Sequence, residues 1–201
     1  MAAALGCVVS APAIAQSADT SGIKAGVVVG YDKTEIGYAG ETGNKDGFVY
    51  GATVGYDANL GATVIGVEAE ISGSTTKEEV GDVFDEGDRL RLASGRDLYI
   101  GARLGARLAP SALFYVKGGY TNAAAELSFD SVEESVLPSF SESDRLDGFR
   151  IGGGVEFEVA GNGFARVEYR YSNYGEYRYE GFETGLTASR HQVVLTSGFL
   201  F

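Results

Sequence analysis

From residue 22 to its end, the chain consists of eight segments of roughly ten residues, each alternating apolar with small or polar side chains. A period of two is the repeat of an extended strand, so the alternation dictates an all-β fold whose sheet has two chemically distinct faces. Ile23, Ala25, Val27, Val29 and Tyr31 share one face of the first segment, and Phe48, Tyr50, Ala52, Val54 and Tyr56 one face of the second. The third sets Ile65, Val67, Ala69 and Ile71 against Glu68 and Glu70. The fourth sets Leu98, Ile100, Ala102, Leu104, Ala106 and Leu108 against Asp97, Arg103 and Arg107. In the fifth, Phe114, Val116 and Tyr120 oppose Tyr115, Lys117 and Thr121. In the sixth, Phe149, Ile151, Val155, Phe157 and Val159 oppose Arg150, Glu156 and Glu158. The seventh places Ala165, Val167, Tyr169 and Tyr171 against Arg166, Glu168 and Arg170, and the last carries His191, Val193, Leu195, Phe199 and Phe201 in one phase.

The connections alternate as well. Residues 57–61, 109–112 and 160–163 are tight turns rich in Gly, Asn, Asp and Pro, whereas 33–46, 73–95, 126–147 and 174–188 are long. An even number of strands with short turns at one end and long loops at the other predicts an eight-stranded antiparallel, up-and-down transmembrane β-barrel occupying 22–201. No run of about 18 apolar residues is present, so a membrane-crossing helix is excluded.

The phase of the alternation separates a membrane barrel from a soluble one. The charged face carries Glu68, Glu70, Arg103, Arg107, Lys117, Arg150, Glu156, Glu158, Arg166, Glu168 and Arg170, and it also carries Gly26, Gly30, Gly51, Gly55, Gly66, Gly101, Gly105, Gly119, Gly152 and Gly154. Small residues mixed with near-balanced charge suit a cramped interior with paired ions, while a solvated face has no need of the glycines. The expectation is a lumen charge network inside and an apolar face toward lipid. The net charge of −12 lies on the four long connections, which hold 7 basic and 19 acidic residues. It argues against a nucleic-acid partner.

At the N-terminus an apolar stretch leads to Ala13-Ile14-Ala15-Gln16, a small-x-small cleavage pattern. Residues 1–15 are therefore expected to be a signal peptide whose cleavage pattern is carried by Ala13 and Ala15, with the mature chain starting near Gln16 and 16–21 a short lead, although no Lys or Arg precedes the apolar stretch. The single Cys7 falls in this leader, and one Cys with one His excludes a zinc site or a disulfide framework; no cofactor or metal is expected. Catalysis has little to stand on. His191 lies near the outer end of the last segment in the lipid phase, and Glu68 with Glu70 or Glu156 with Glu158 face a lumen rich in cations, which favours charge pairing over acid–base chemistry. Gly152-Gly153-Gly154 lacks the helix start and Lys-Ser/Thr of a phosphate loop.

The closing strand, with Val193, Leu195, Phe199 and the terminal Phe201, resembles the C-terminal signal of outer-membrane barrels. Ser197 departs from that pattern. Together with residues 47–57, Asn59-Leu60-Gly61, Val67-Glu68-Ala69-Glu70, residues 96–103, 117–122, 146–150, 168–174 and 189–193, the chain from about 21 to 201 resembles the porin-family group of small outer-membrane β-barrels, Omp25/Omp31-like and OmpA-like. That resemblance implies a Gram-negative outer-membrane location with both termini periplasmic. It also implies outer-membrane lipids as surroundings, and delivery by periplasmic chaperones and the β-barrel assembly machinery. The expected function is non-enzymatic: a monomeric structural scaffold of the envelope displaying acidic extracellular loops. A narrow diffusion channel for ions or small solutes is the alternative, and an adhesion or ligand-binding barrel acting through the second and third long loops is a further one.

Overall fold

The computed structural model describes residues 21–38, 41–75, 77–81, 89–130, 140–159, 161–179 and 182–201. The expected leader, with Ala13 and Ala15, lies outside the described residues. Nine strands follow in order: β1 Gly22–Tyr38, β2 Glu41–Leu60, β3 Thr63–Ser74, β4 Lys77–Gly81, β5 Arg89–Ala109, β6 Ala112–Asp130, β7 Phe140–Val159, β8 Gly163–Tyr179 and β9 Phe182–Leu200. β3 and β4 both pair antiparallel with β5 and form one interrupted stave, so the sheet has eight staves. Each stave pairs with its chain neighbour, and β1 pairs with β9 from Lys24↔Leu200 to Gly37↔Thr187. The terminal residue takes part: Phe201 N donates to Ile23 O at 2.8 Å and Ile23 N to Phe201 O at 3.2 Å. Closure removes both sheet edges and satisfies the backbone groups that lipid could not.

Exposure fixes the phase. Val27 (63% exposed), Ile100 (62%) and Val67 (59%) stand on the outer face, while Arg150 and Arg170 (0%) point inward. Aromatic rings band the outer face at two levels: Tyr31, Phe48, Tyr50, Tyr120, Phe149, Tyr169 and Tyr171 toward one end, and Tyr56, Phe114, Phe157, Phe199 and Phe201 toward the other. Between them lie Val, Ile, Leu and Ala, the side chains a pleated surface in lipid favours. The band spans about nine residues per stave, the length a tilted strand needs to cross a bilayer.

At the turn end the connections are tight. Leu60 pairs with Thr63 around Gly61 (φ 77°), Ala109 with Ala112 around Pro110-Ser111, and Gly161 also takes φ 77° in the turn before β8. Only glycine enters that left-handed region without cost. At the other end, segments read from sequence as long loops are in large part strand. β1 and β2 stay paired up to Tyr38↔Glu41, β6 and β7 up to Phe129↔Phe140, and β8 and β9 up to Tyr179↔Phe182. This crown extends well past the upper aromatic girdle. Polar side chains hide the strand pattern there because both faces meet water and no apolar alternation is required. The Gly152-Gly153-Gly154 run sits within β7, laddered to β6 and β8.

Two measurements check this architecture. A closed barrel in detergent is expected to migrate faster on a gel unheated than boiled. Val67→Arg, on the lipid face of β3, is expected to lower urea stability in phospholipid vesicles by about 2–4 kcal/mol, whereas Asn162→Arg in the exposed turn is expected to change it by less than about 0.5 kcal/mol.

Candidate functional site: the lumen charge network

The alternation sends every second residue of each stave into a space that, in an eight-stranded barrel, is about wide enough for side chains to fill. Eight cations point there among the described residues: Lys24, Arg103, Arg107, Lys117, Arg150, Arg166, Arg170 and Arg190. Eight acids meet them: Asp32, Asp57, Glu68, Glu70, Asp97, Glu156, Glu158 and Glu168. The inventory is neutral, as a poorly solvated interior demands, because each unpaired buried ion costs several kcal/mol.

Apart from the separate Arg107–Glu158 pair, the ions form one connected chain along the axis, with Arg166 reaching Glu156 at 3.6 Å and Arg170 reaching Glu168 at 3.9 Å. At the turn end Arg107 Nη1 meets Glu158 Oε1 at 2.7 Å, and Lys24 Nζ meets Asp57 Oδ2 at 2.8 Å and also Glu156. Arg103 donates from both terminal nitrogens to Glu156 Oε2 at 3.1 Å, and its Nε lies 3.6 Å from Asp57. In the middle, Arg166 pairs with Glu68, and Lys117 Nζ bridges Glu68 (2.8 Å) and Glu168 (2.9 Å). The fully buried Tyr115 donates its hydroxyl to Glu168 at 2.7 Å, and its ring lies 4.5 Å from the Arg103 guanidinium. Toward the crown, Arg170 Nη1 meets Glu70 at 2.8 Å while its Nε donates to Gln192 at 2.6 Å. Arg150 reaches Asp97 at 2.5 Å and Glu70 at 3.5 Å, and donates to Ser172 at 2.8 Å. Asp97 also accepts from Thr121 (2.6 Å) and Tyr174 (2.8 Å) and faces Arg190 at 3.3 Å; Arg190 continues to Asp32, which accepts from Ser74 (2.6 Å) and Gln192 (3.1 Å).

Which partners meet follows from closure. Around the circuit β3 lies four staves from β8, and β5 four staves from β9. Arg166 and Arg170 on β8 therefore meet Glu68 and Glu70 on β3 straight across the diameter, and Arg190 on β9 meets Asp97 on β5 likewise. Apolar side chains complete the filling: Val28, Val49 and Val194 form a buried cluster on one wall. Near the turn end a cavity of about 190 Å³ remains, lined by Lys24, Asp57, Arg107, Glu158, Phe164 and Phe201 among others.

All eleven charged residues singled out from sequence lie on the inner face, with Arg107 and Glu158 the most solvated. Sequence reasoning missed Lys24, Asp32, Asp57, Asp97 and Arg190 as members of the network. Lys24 and Asp97 stood inside the recognised segments in the inner phase, while Asp32, Asp57 and Arg190 stood one residue beyond a recognised segment or beside His191. Carrying the phase one residue past each segment finds them. Val193, Leu195, Phe199 and Phe201 are exposed on the outer face of β9. His191 sits mid-strand in β9 rather than near its end, at the level of the upper aromatic girdle; its Nδ1 lies 2.7 Å from the Tyr169 hydroxyl and its ring 4.9 Å from Tyr171.

The network makes a stability prediction. Glu68→Gln removes the acid that Lys117 and Arg166 share, leaving Glu168 and Glu156 to hold them and one buried cation in excess, and is expected to cost about 3–5 kcal/mol in vesicle urea unfolding; Glu68→Leu combined with Arg166→Met is expected to recover part of that loss.

The family model for the outer membrane protein β-barrel domain matches residues 1–189. No curated protein sequence matches the chain. Among solved structures, the barrel is similar to Ail, the attachment invasion locus protein of Yersinia pestis (15% identity, TM-score 0.50, covering 90% of this chain and 99% of that one). It is also similar to Neisserial surface protein A (15% identity, TM-score 0.50, covering 87% and 97%). At these identities the likeness concerns the fold. The eight-stave closure, the lipid-suited outer face and the family match agree: the chain belongs to the outer membrane protein β-barrel domain family.

Proposed function

We propose that this protein is a non-enzymatic, monomeric structural barrel of the Gram-negative outer membrane, with both termini and the tight turns in the periplasm and the strand crown outside. The observation that carries this reading is the set of ion pairs spanning the lumen diameter, Arg166–Glu68, Arg170–Glu70 and Arg190–Asp97. Side chains that must pair across the barrel hold opposite walls together and occupy the space a solute would need. The acidic residues of the crown segments, by sequence, keep the outer surface repulsive toward like-charged neighbours. The outward station of His191, hydrogen-bonded to Tyr169 in the aromatic girdle, supports an interfacial role rather than catalysis. Val193, Leu195, Phe199 and Phe201, on the strand that closes the barrel, are the residues through which the assembly machinery and periplasmic chaperones are expected to receive the chain.

Planar-bilayer recording of the refolded chain tests this reading. A silent bilayer with inserted protein is expected; reproducible conductance steps altered by Arg103→Ala or Glu156→Ala would move the function to a narrow diffusion channel. Orientation is checked separately in a background lacking Cys7. A membrane-impermeant maleimide applied to intact cells is expected to label Asp46→Cys near the crown and to spare Asn162→Cys in the turn.

A further inference from the structure

One row of outward positions is in direct register across four staves: Val29 on β1, Tyr50 on β2, Gly73 on β3 and Arg96 on β5. The row beneath it, deeper in the apolar band, is Val27, Ala52, Ile71 and Leu98. These rows border a groove of about 680 Å³ on the outer face. Its shape has a simple cause. Ala52 presents only a methyl where its neighbours present Val, Ile or Tyr, so the wall dips in a shallow, open trough between Val27, Val29 and Ile71. The Tyr50 ring lies over Gly73, with Cζ and the hydroxyl both 3.2 Å from where a Cβ would stand. That places the phenol hydroxyl above β3, one strand spacing from Arg96. Toward the crown the β2–β3 ladder runs to Val49↔Ser74 and is closed by Thr75 N donating to Phe48 O and Phe48 N to Thr75 Oγ1, both at 2.9 Å; beyond it β4 pairs among the described residues with β5 alone, and β5 carries a register shift between Ser94 and Asp97.

Arg96 is unlike the arginines of the lumen. Arg103, Arg107, Arg150, Arg166, Arg170 and Arg190 each hold a carboxylate in the lumen. Arg96 points outward, is exposed, and has no acidic partner among the described residues. It stands at the level of the upper aromatic girdle, where lipid headgroups lie. An unpaired guanidinium beside a phenol hydroxyl, heading an apolar groove, has the chemistry of a seat for a phosphorylated amphiphile: a planar donor fork for the phosphate and a hydrocarbon trough for an acyl chain.

We propose that this groove binds the phosphorylated glycolipid of the outer leaflet, lipid A, with a phosphate on Arg96 and Tyr50 and an acyl chain along Val27, Ala52 and Ile71. The choice of leaflet rests on the crown facing outward, as proposed above. Arg96 gives the barrel a fixed lipid neighbour on the β1–β5 side and orients that side in the membrane plane.

Native mass spectrometry of the full barrel in nonionic micelles, titrated with diphosphoryl lipid A, tests the site. Wild type is expected to retain one copy. Arg96→Gln and the groove-filling Ala52→Phe are each expected to weaken binding about tenfold, as loss of a charge-assisted contact predicts. Lys33→Gln, on the same rim but paired with Glu35 at 3.0 Å, is expected to change it less than about twofold. Dephosphorylated lipid A and phosphatidylglycerol are both expected to bind about tenfold more weakly. Equal loss in Lys33→Gln, equal binding of phosphatidylglycerol, or indifference to Arg96→Gln in variants that still show the heat-dependent gel shift overturns the proposal. Reversed maleimide labelling would sink the orientation while leaving the titration to judge the groove; loss of Arg96 dependence would sink the groove while leaving the orientation standing.

Discussion

A closed barrel of eight strands has an interior narrow enough that whatever points inward must fit its neighbours in both volume and charge. This protein meets that constraint with ions rather than hydrocarbon. Seven cations and seven acids, interleaved with glycine, Tyr115, Tyr174 and a few valines, form a chain of contacts from Lys24 near the turn end to Asp32 near the crown, with Arg107 and Glu158 a separate pair below it. Burying so many charges is tolerable only as a neutral, hydrogen-bonded whole, because an ion left alone in such a place costs far more than a pair contributes. The apolar outer face depends on this arrangement in turn: an inside that accepts most of the strands' charged side chains leaves the outer band between the aromatic levels free to be predominantly apolar.

The outer surface has its own order. Taken round the barrel, aromatic rings mark two levels, both present on β2, β6 and β7, and between them the side chains are aliphatic or small. Beyond the upper level the strands continue to pair, so the crown is an extension of the same sheet rather than a set of separate loops. On the β3–β4 side the stave is divided, and the β2–β3 contact ends with Thr75 N on Phe48 O. The groove headed by Arg96 lies at the foot of that division. The wall is lowered there by Ala52, and Arg96, unlike the lumen arginines, holds no carboxylate among the described residues.

Function on this reading comes from shape and placement, not from a reactive centre. Ion pairs across the diameter, from β8 to β3 and from β9 to β5, brace opposite walls against each other, which suits a rigid envelope component better than a passage. His191 and Tyr169 illustrate the same point on the outside, where two groups that elsewhere do chemistry here hydrogen-bond to one another in the interfacial belt.

The sequence by itself determined the number of staves, the face each residue takes, the tight turns and the apolar belt. Each of these is a local property: the two-residue period, the left-handed glycine at Gly61 and Gly161, and the side-chain preferences of a lipid-facing strand. It also determined that Glu68, Glu70, Arg103, Lys117, Arg150, Glu156, Arg166, Glu168 and Arg170 share the inner face, since phase alone assigns that. The crown was hidden because strands exposed to water on both faces carry no alternation to read. Which of these ions meet was decided only by the tertiary structure. Arg166 and Glu68 are 98 residues apart in the chain, and Arg190 and Asp32 are 158. They become neighbours through the circuit of pairings that closes at β1 and β9, and a strand's own sequence records which way a side chain points but not what stands on the wall opposite.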